Sequence, residues 1–174
     1  MNNFELARKI KNACEIEGAF KLRSGKVVNQ YFDKYLFESS PELLREVSGA
    51  LESMLEFDFD AVAGLELGAI PIATLVSQIS GKPLLLVRKN AKDYGTRKVV
   101  EGNTKPVKTV VVVEDIATTG GAIEDGIRQL KKAGLLPVHV ACVIDRESGA
   151  QNRIEGLGCS FSTVTNKSFL DSLV

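Results

Sequence analysis

The chain has little with which to build a metal centre, a disulfide framework or a catalytic triad. Its three cysteines, Cys14, Cys142 and Cys159, show no Cys-x-x-Cys spacing, which argues against both zinc sites and a cystine scaffold. The single histidine, His139, lies inside the apolar run Val138-His139-Val140-Ala141-Cys142-Val143-Ile144, where a structural imidazole is expected and a triad has no obvious base. Excess charge of either sign is also missing. Lys plus Arg and Asp plus Glu are both 22, for a formal net charge of zero, which argues against nucleic-acid and membrane-surface partners. No apolar run reaches transmembrane length, and the start Met1-Asn2-Asn3-Phe4-Glu5 has no signal-peptide hydrophobic region, so the cytoplasm is the expected compartment. Without a repeat, a linker or a low-complexity tract in 174 residues, one domain around one core is expected.

What is present is concentrated in Val110-Val111-Val112-Val113-Glu114-Asp115-Ile116-Ala117-Thr118-Thr119-Gly120-Gly121-Ala122. Four β-branched residues followed by polar ones suit a central strand of a parallel sheet, and ligands of such sheets sit beyond the carboxyl ends of the strands. Glu114 and Asp115 stand at that edge. The turn Thr118-Thr119-Gly120-Gly121 can aim backbone N–H groups and two hydroxyls at one anion, helped by the positive end of a helix beginning near Ala122. A phosphate belongs at the turn, and hydroxyls or a metal at the acids. The segment is neither a P-loop, since no Gly-Lys-Ser/Thr follows, nor a Gly-x-Gly-x-x-Gly dinucleotide site. The bland alternative is an ordinary strand-turn-helix with a Thr cap and surface acids.

Periodicity supplies the surroundings. Phe4, Ala7, Ile10 and Cys14 recur at helical spacing, with Gly18 as a stop. Ser40 and Pro41 read as cap and first turn of a second helix carrying Leu44, Val47, Leu51, Met54 and Leu55 on one face. Strand 60–64, helix 70–79, strands 83–87 and 109–113, helix 122–132 and strand 137–144 then follow, the alternation of an α/β domain with a mostly parallel sheet flanked by helices. The C-terminal residues 166–174 read as a terminal helical turn packing Phe169 and Leu173. Between Val87 and Thr109 lie residues that fit no core element. Arg88, Lys89, Lys92, Arg97 and Lys98 make this stretch the most cationic of the chain, as a mobile lid over a polyanion would be. A solvated basic loop is the alternative.

These pieces occur in the order found in the orotate phosphoribosyltransferases, a branch of the type I phosphoribosyltransferase family, which the chain resembles from about Gly18 to Gly149. Phe20-Lys21-Leu22-Arg23-Ser24-Gly25 and Tyr31-Phe32-Asp33 are similar to that family's N-terminal hood. Gly64-Leu65-Glu66-Leu67-Gly68-Ala69-Ile70-Pro71 is similar to its pyrophosphate-side loop, Arg88 to Gly95 to its catalytic loop, and Asp145-Arg146-Glu147-Ser148-Gly149 to its base-binding segment. Tyr94 stands where the family often has His, Gly68 where many bacterial members have Lys, and Arg23 where Lys is common. The departures shift charge compensation onto Arg88, Lys89 and Lys92.

The resemblance implies a type I phosphoribosyltransferase fold with a small hood at about 1–40, a core at 41–174 and a lid at about 88–103. It implies transfer of ribose 5-phosphate from phosphoribosyl pyrophosphate (PRPP) to orotate in pyrimidine synthesis, with catalysis by Lys92, Asp115 and Glu114. PRPP would be held by Arg88, Lys89, Lys92, Tyr94, Glu114, Asp115 and the run Ala117, Thr118, Thr119, Gly120, Gly121 and Ala122. Orotate would meet Arg23, Tyr31, Phe32, Thr118 and Arg146. Mg²⁺ would be carried mainly by PRPP, with no ligand directly from the protein, and the lid would be shared across a homodimer. Tyr31-Phe32 could instead be a strand-edge pair on the core, and Arg146 an ion-pair partner of Glu147. A purine phosphoribosyltransferase and a non-catalytic PRPP-sensing regulator are the rival functions.

Overall fold

The computed structural model describes residues 3–21, 25, 27–91 and 98–173. Arg23, Lys92 and Tyr94, and with them the middle of the basic loop, lie outside the described residues.

The apolar tetrad Val110 to Val113 is fully buried and forms the heart of a six-stranded sheet. In chain order the strands are β3 (Ala61–Leu65), β4 (Leu84–Val87), β5 (Val100–Glu101), β6 (Thr109–Ala117), β7 (Leu136–Asp145) and β8 (Ser160–Asn166). Across the sheet they run β5-β4-β3-β6-β7-β8. Only β5 is antiparallel to its neighbour. From β3 the chain winds outward to β4 through α4 (Ala69–Ser80), and from β6 it winds the other way to β7 through α5 (Gly121–Lys132). Because parallel crossovers are right-handed, opposite winding directions put α4 and α5 on opposite faces and leave a crevice between the carboxyl ends of β3 and β6. β6 runs four residues past Gly64↔Val113, the last pair it makes with β3. The acids 114 and 115 therefore border that crevice.

Helix α1 (Asn3–Cys14) buries Leu6, Ala7, Ile10 and Cys14 in the main core. Phe4 stays half exposed, edge-on to Phe169. The chain passes from Cys14 directly into a separate hairpin, β1 (Glu15–Lys21) and β2 (Val27–Phe32). Gly18 does not stop α1, as its position after the apolar stripe suggested. It sits in the irregular register between Glu17 and Phe20 with φ 154°, a conformation open to glycine. After the short α2 (Tyr35–Glu38), Ser40 caps α3 (Pro41–Glu52) by accepting the Leu43 N–H, with Pro41 in the first turn. The buried face runs through Leu43, Val47 and Leu51, so Leu43 takes the place expected of Leu44, and Met54 and Leu55 lie beyond the helix end.

The stretch after Val87 is not wholly outside the core. The Arg88 N–H donates to the Val99 carbonyl at 2.9 Å, and β5 pairs Val100 with Val87, closing the neck of the basic loop. A two-residue strand carries no readable period, so the sequence does not announce it. The polar edge strand β8 and the short α6 (Ala150–Glu155) are equally silent. At the C-terminus α7 (Lys167–Ser172) is capped by Asn166 and buries Leu170, with Leu173 buried after it, while Phe169 meets Phe4. His139 is structural: its ring nitrogens lie 2.7 Å from Ser160 Oγ and 2.8 Å from Ser162 Oγ, and burial lowers its pKa. Among the described residues, no helix is long and apolar enough to cross a membrane.

Candidate active site

The strand end at Glu114 and Asp115 is an unusual place for two carboxylates, because both are almost entirely buried, Asp115 to 2% exposure. Withdrawing a carboxylate from water is costly unless it finds donors. Glu114 Oε1 accepts the Asp115 N–H at 3.0 Å, and Asp115 Oδ1 accepts the Ile116 N–H. The other Asp115 oxygen, Oδ2, is held by the ammonium of Lys34 in a direct ion pair. A third carboxyl, Glu38 from α2, closes the group, and its Oε1 is buried without a hydrogen-bond partner among the described residues. Burial first, then the Asp115 charge, pushes Glu38 up to about 8, with Lys34 pulling the other way. Burial and the Asp115 charge also raise Glu114 well above the usual carboxylate range.

Glu38 therefore keeps its proton at neutral pH in the folded protein and loses it near pH 4.5 when unfolded. Its contribution to stability is complete below about pH 4.5 and is lost as pH rises through about 8. Glu38→Gln is expected to remove this term. Melting curves should show the variant gaining on the parent as pH is raised from 5 towards 9, roughly by a few kcal/mol. A parallel pH dependence for the two proteins would mean that Glu38 is ionised in the fold.

Beside the acids, the chain turns between β3 and α4 through Glu66, Leu67 and Gly68, with a cis Glu66–Leu67 peptide. Gly68 is placed so tightly that a Cβ there would lie 1.7 Å from Asp115 Oδ2 and 2.6 Å from Lys34 Nζ. On the other side, Thr118 and Thr119 are exposed and Gly120 takes a left-handed conformation, φ 76°. A side chain at 120 would crowd Ala150 Cα at 3.1 Å. α5 begins at Gly121 with no side chain capping it, so its first N–H groups remain available to an anion. Ala117 ends β6 and Ala122 lies in the first turn of α5, on either side of this turn.

A cleft of about 450 Å³ opens between Glu66, Arg88 and Lys89 on one side and Glu114, Ala122 and Asp125 on the other. That volume suits a small polar ligand. Arg88 lines this cleft and carries a buried Nε with no hydrogen-bond partner among the described residues, an unsatisfied donor of the kind that a bound acceptor would complete. The Lys89 N–H is held by the Glu66 carboxylate.

A second, smaller cleft of about 160 Å³ brings Tyr31 and Phe32 together with Arg146. The Arg146 guanidinium lies 5.9 Å from the Phe32 ring centroid, and the Arg146 N–H donates to the Ala117 carbonyl at 2.8 Å, tying this cleft to the acid strand. The suggested Arg146–Glu147 pair does not form: Glu147 accepts from the backbone N–H and hydroxyl of Ser168. Successive strand residues face opposite ways. Phe32 accordingly packs against the core, whereas Tyr31 is exposed and its ring lies 5.4 Å from that of Phe20. Lys34 and Glu38 are the members that sequence reasoning missed. Neither stands in a motif, and only the approach of the hairpin end to β6 brings them to the acids.

The phosphoribosyl transferase domain family matches residues 37–171 of this chain. An orotate phosphoribosyltransferase of Nocardioides sp. is 43% identical over 167 residues, 96% of this chain and 93% of the relative. One from Pyrococcus horikoshii is 41% identical over 155 residues, 87% of this chain and 83% of that protein. Among solved structures, Mycobacterium tuberculosis orotate phosphoribosyltransferase in complex with PRPP superposes with a TM-score of 0.82 at 26% identity, covering 97% of this chain and 98% of that one.

Proposed function

The chain belongs to the phosphoribosyltransferase family and, within it, to the orotate phosphoribosyltransferases; from that premise we propose that the crevice between β3 and β6 binds PRPP and the Phe32–Arg146 cleft binds orotate. The reaction is transfer of ribose 5-phosphate from PRPP to orotate, giving orotidine 5′-monophosphate and pyrophosphate for pyrimidine synthesis. The observation that carries the site assignment is the juxtaposition of two buried acids with an uncapped helix start across one strand end.

In this reading the turn from Ala117 to Ala122 takes the 5′-phosphate through backbone N–H groups and the Thr118 and Thr119 hydroxyls. Glu114 and Asp115 accept the ribose 2′- and 3′-hydroxyls. As the C1–O bond to pyrophosphate breaks, positive charge grows on the ribose ring and negative charge on the leaving group. The Asp115 carboxylate stabilises the first, with Glu114 positioning the hydroxyls beside it, and Arg88, Lys89 and Lys92 stabilise the second. Tyr94 would touch phosphate through its phenol. Orotate is an anion with a delocalised ring, so it needs positioning more than a strong base. Arg146 takes its carboxylate or carbonyl edge, Phe32 lies against the ring, and Tyr31, Arg23 and Thr118 complete the pocket.

Mg²⁺ would arrive on the diphosphate and ribose hydroxyls of PRPP, where it neutralises phosphate charge; the ion characteristically keeps waters and few protein ligands. Among the described residues, no group of three or more His, Cys, Asp or Glu is arranged to hold a metal. Glu114 and Asp115 offer oxygen chemistry suited to contact through its waters. We further read the chain as a single domain with the hairpin as its hood, working as a homodimer whose basic loop reaches the neighbouring site. The cytoplasm is the fitting compartment for a protein whose three cysteines are free and buried.

The test offers PRPP and Mg²⁺ with orotate, uracil, adenine, hypoxanthine, guanine or xanthine in separate reactions and follows pyrophosphate release. Turnover with orotate alone is expected. Arg146→Ala should raise the KM for orotate roughly 10- to 100-fold while leaving PRPP affinity intact, the loss of one charge-assisted pair. Unchanged orotate affinity in that variant would remove Arg146 from the base site.

A further inference from the structure

Lys34 is held in place from several sides. It follows Asp33, whose N–H donates to the Cys14 carbonyl at 2.8 Å and whose carboxylate accepts the Tyr35 N–H at 3.1 Å. The end of the hairpin is thus fastened to the end of α1 and to the start of α2. The Lys34 side chain reaches Asp115 Oδ2 while keeping 27% of its surface exposed, against 3% for the Asp115 side chain. Its ammonium also lies 5.1 Å from the Tyr35 ring centroid. Desolvation opposes the charge, but the bond to Asp115 and the charges of Asp115 and Glu38 outweigh it and raise its pKa. An ammonium carries three donors, and among the described residues Asp115 is its hydrogen-bond acceptor.

The position matters because of the geometry of a ribose. A sugar with its 5′-phosphate on the Thr118–Gly120 turn and its hydroxyls on the acids puts its anomeric carbon, vicinal to the 2′-hydroxyl, at the far end of the acid pair. The turn's Gly120 lies over Ala150, on the β7 side. The far end is the β3 side, where Gly68 closes on Asp115 and the Lys34 ammonium stands 2.6 Å from the place a Gly68 Cβ would occupy. A leaving diphosphate would extend from there towards Glu66, Arg88 and Lys89. Residue 68 has no room for a charged side chain of its own.

We propose that Lys34 is a PRPP-binding residue: in the free protein it neutralises Asp115, and in the complex its ammonium bridges Asp115 and the diphosphate of the ligand. The assignment rests on the PRPP site described above. It makes the hairpin end part of the phosphate machinery, so that seating the ligand and fixing the hood draw on the same side chain. The alternative is an ion pair that only satisfies a buried carboxylate.

Calorimetric titration of the full chain with PRPP and, separately, with inorganic pyrophosphate, both with Mg²⁺, distinguishes the two. Lys34→Gln is expected to weaken both ligands roughly 10- to 100-fold, as loss of a charged hydrogen bond does, with Lys34→Arg restoring most of it. The KM for PRPP should rise in step. Because Lys34→Gln leaves Asp115 without its partner, the pair Asp115→Asn and Asp115→Asn/Lys34→Gln repeats the comparison without a buried unpaired carboxylate. A ligand contact again lowers pyrophosphate affinity on removal of Lys34, whereas equal affinities in both comparisons would overturn the proposal. A parent protein that bound neither PRPP nor pyrophosphate would instead overturn the PRPP site itself.

Discussion

Asp115→Asn is expected to lower turnover about 10²- to 10³-fold, the usual effect of removing one preorganised electrostatic group from a transition state. The amide keeps the shape of the side chain and can still accept the Ile116 N–H and a ribose hydroxyl, so PRPP affinity should change less than kcat. What disappears is negative charge beside the ribose at the moment it becomes cationic. The fold should tolerate the change. Three carboxyls, Glu38, Glu114 and Asp115, crowd around Lys34, and the Asp115 charge is a main reason, after burial, that Glu38 and Glu114 are driven up. With residue 115 neutral, Glu38 can ionise more readily and take over the Lys34 ammonium. Steady-state kinetics beside a melting curve checks both halves. Unchanged kcat would show that Asp115 does not face the sugar, and a collapsed melting temperature would show that its pair with Lys34 is mainly structural.

Gly68→Ala should be nearly as damaging for a different reason. Gly68 has φ −63° and ψ −33°, ordinary helical values, so alanine carries no backbone penalty there. The whole effect must come from the new methyl, 1.7 Å from Asp115 Oδ2, 2.9 Å from its Cγ and 2.6 Å from Lys34 Nζ. The neighbours would have to move by an ångström or more. Overpacking of this kind costs about 1–3 kcal/mol of stability, and displacing a positioned catalytic group by about 1 Å can cost roughly 10²-fold in rate. Gly49 in α3 is the control, since nothing lies within 4 Å of a Cβ at that position. Gly49→Ala should be neutral or stabilise by up to about 1 kcal/mol, from helix propensity alone. Parent-like activity in Gly68→Ala would mean that Asp115 and Lys34 can separate without loss, which would count against both as ligand contacts.

The sheet was legible because its strands are strong local signals. Val110 to Val113 could hardly be anything but a central strand, and the Thr/Gly turn with the amphipathic run behind it marked the start of α5 to within a residue. Even so β6 continued to Ala117: backbone pairing with β7 carries Glu114 and Asp115 inside the ladder, where polar side chains alone suggested its end. The strand pairing of the hood hairpin is not legible in the sequence, since β1 and β2 are mostly exposed and lack the alternation that burial of one face imposes. β5 was too short, and β8 too polar, to be seen.

The sequence by itself determined the chemistry on offer: two acids and an anion-binding turn at a strand end, a basic loop, and an Arg on the next strand's end. Those features are local, and a run of ten or so residues carries them whole. Only the tertiary structure decided how the acids are held. Lys34 and Asp115 are 81 residues apart, Glu38 belongs to a four-residue helix without a motif of its own, and Gly68 matters through the absence of a side chain. Their meeting depends on winding in opposite directions from β3 and β6, and on the hairpin being tied to the end of α1. A local pattern can specify a strand or a cap, but an ion pair between distant segments is written in packing, which no single stretch of the chain contains.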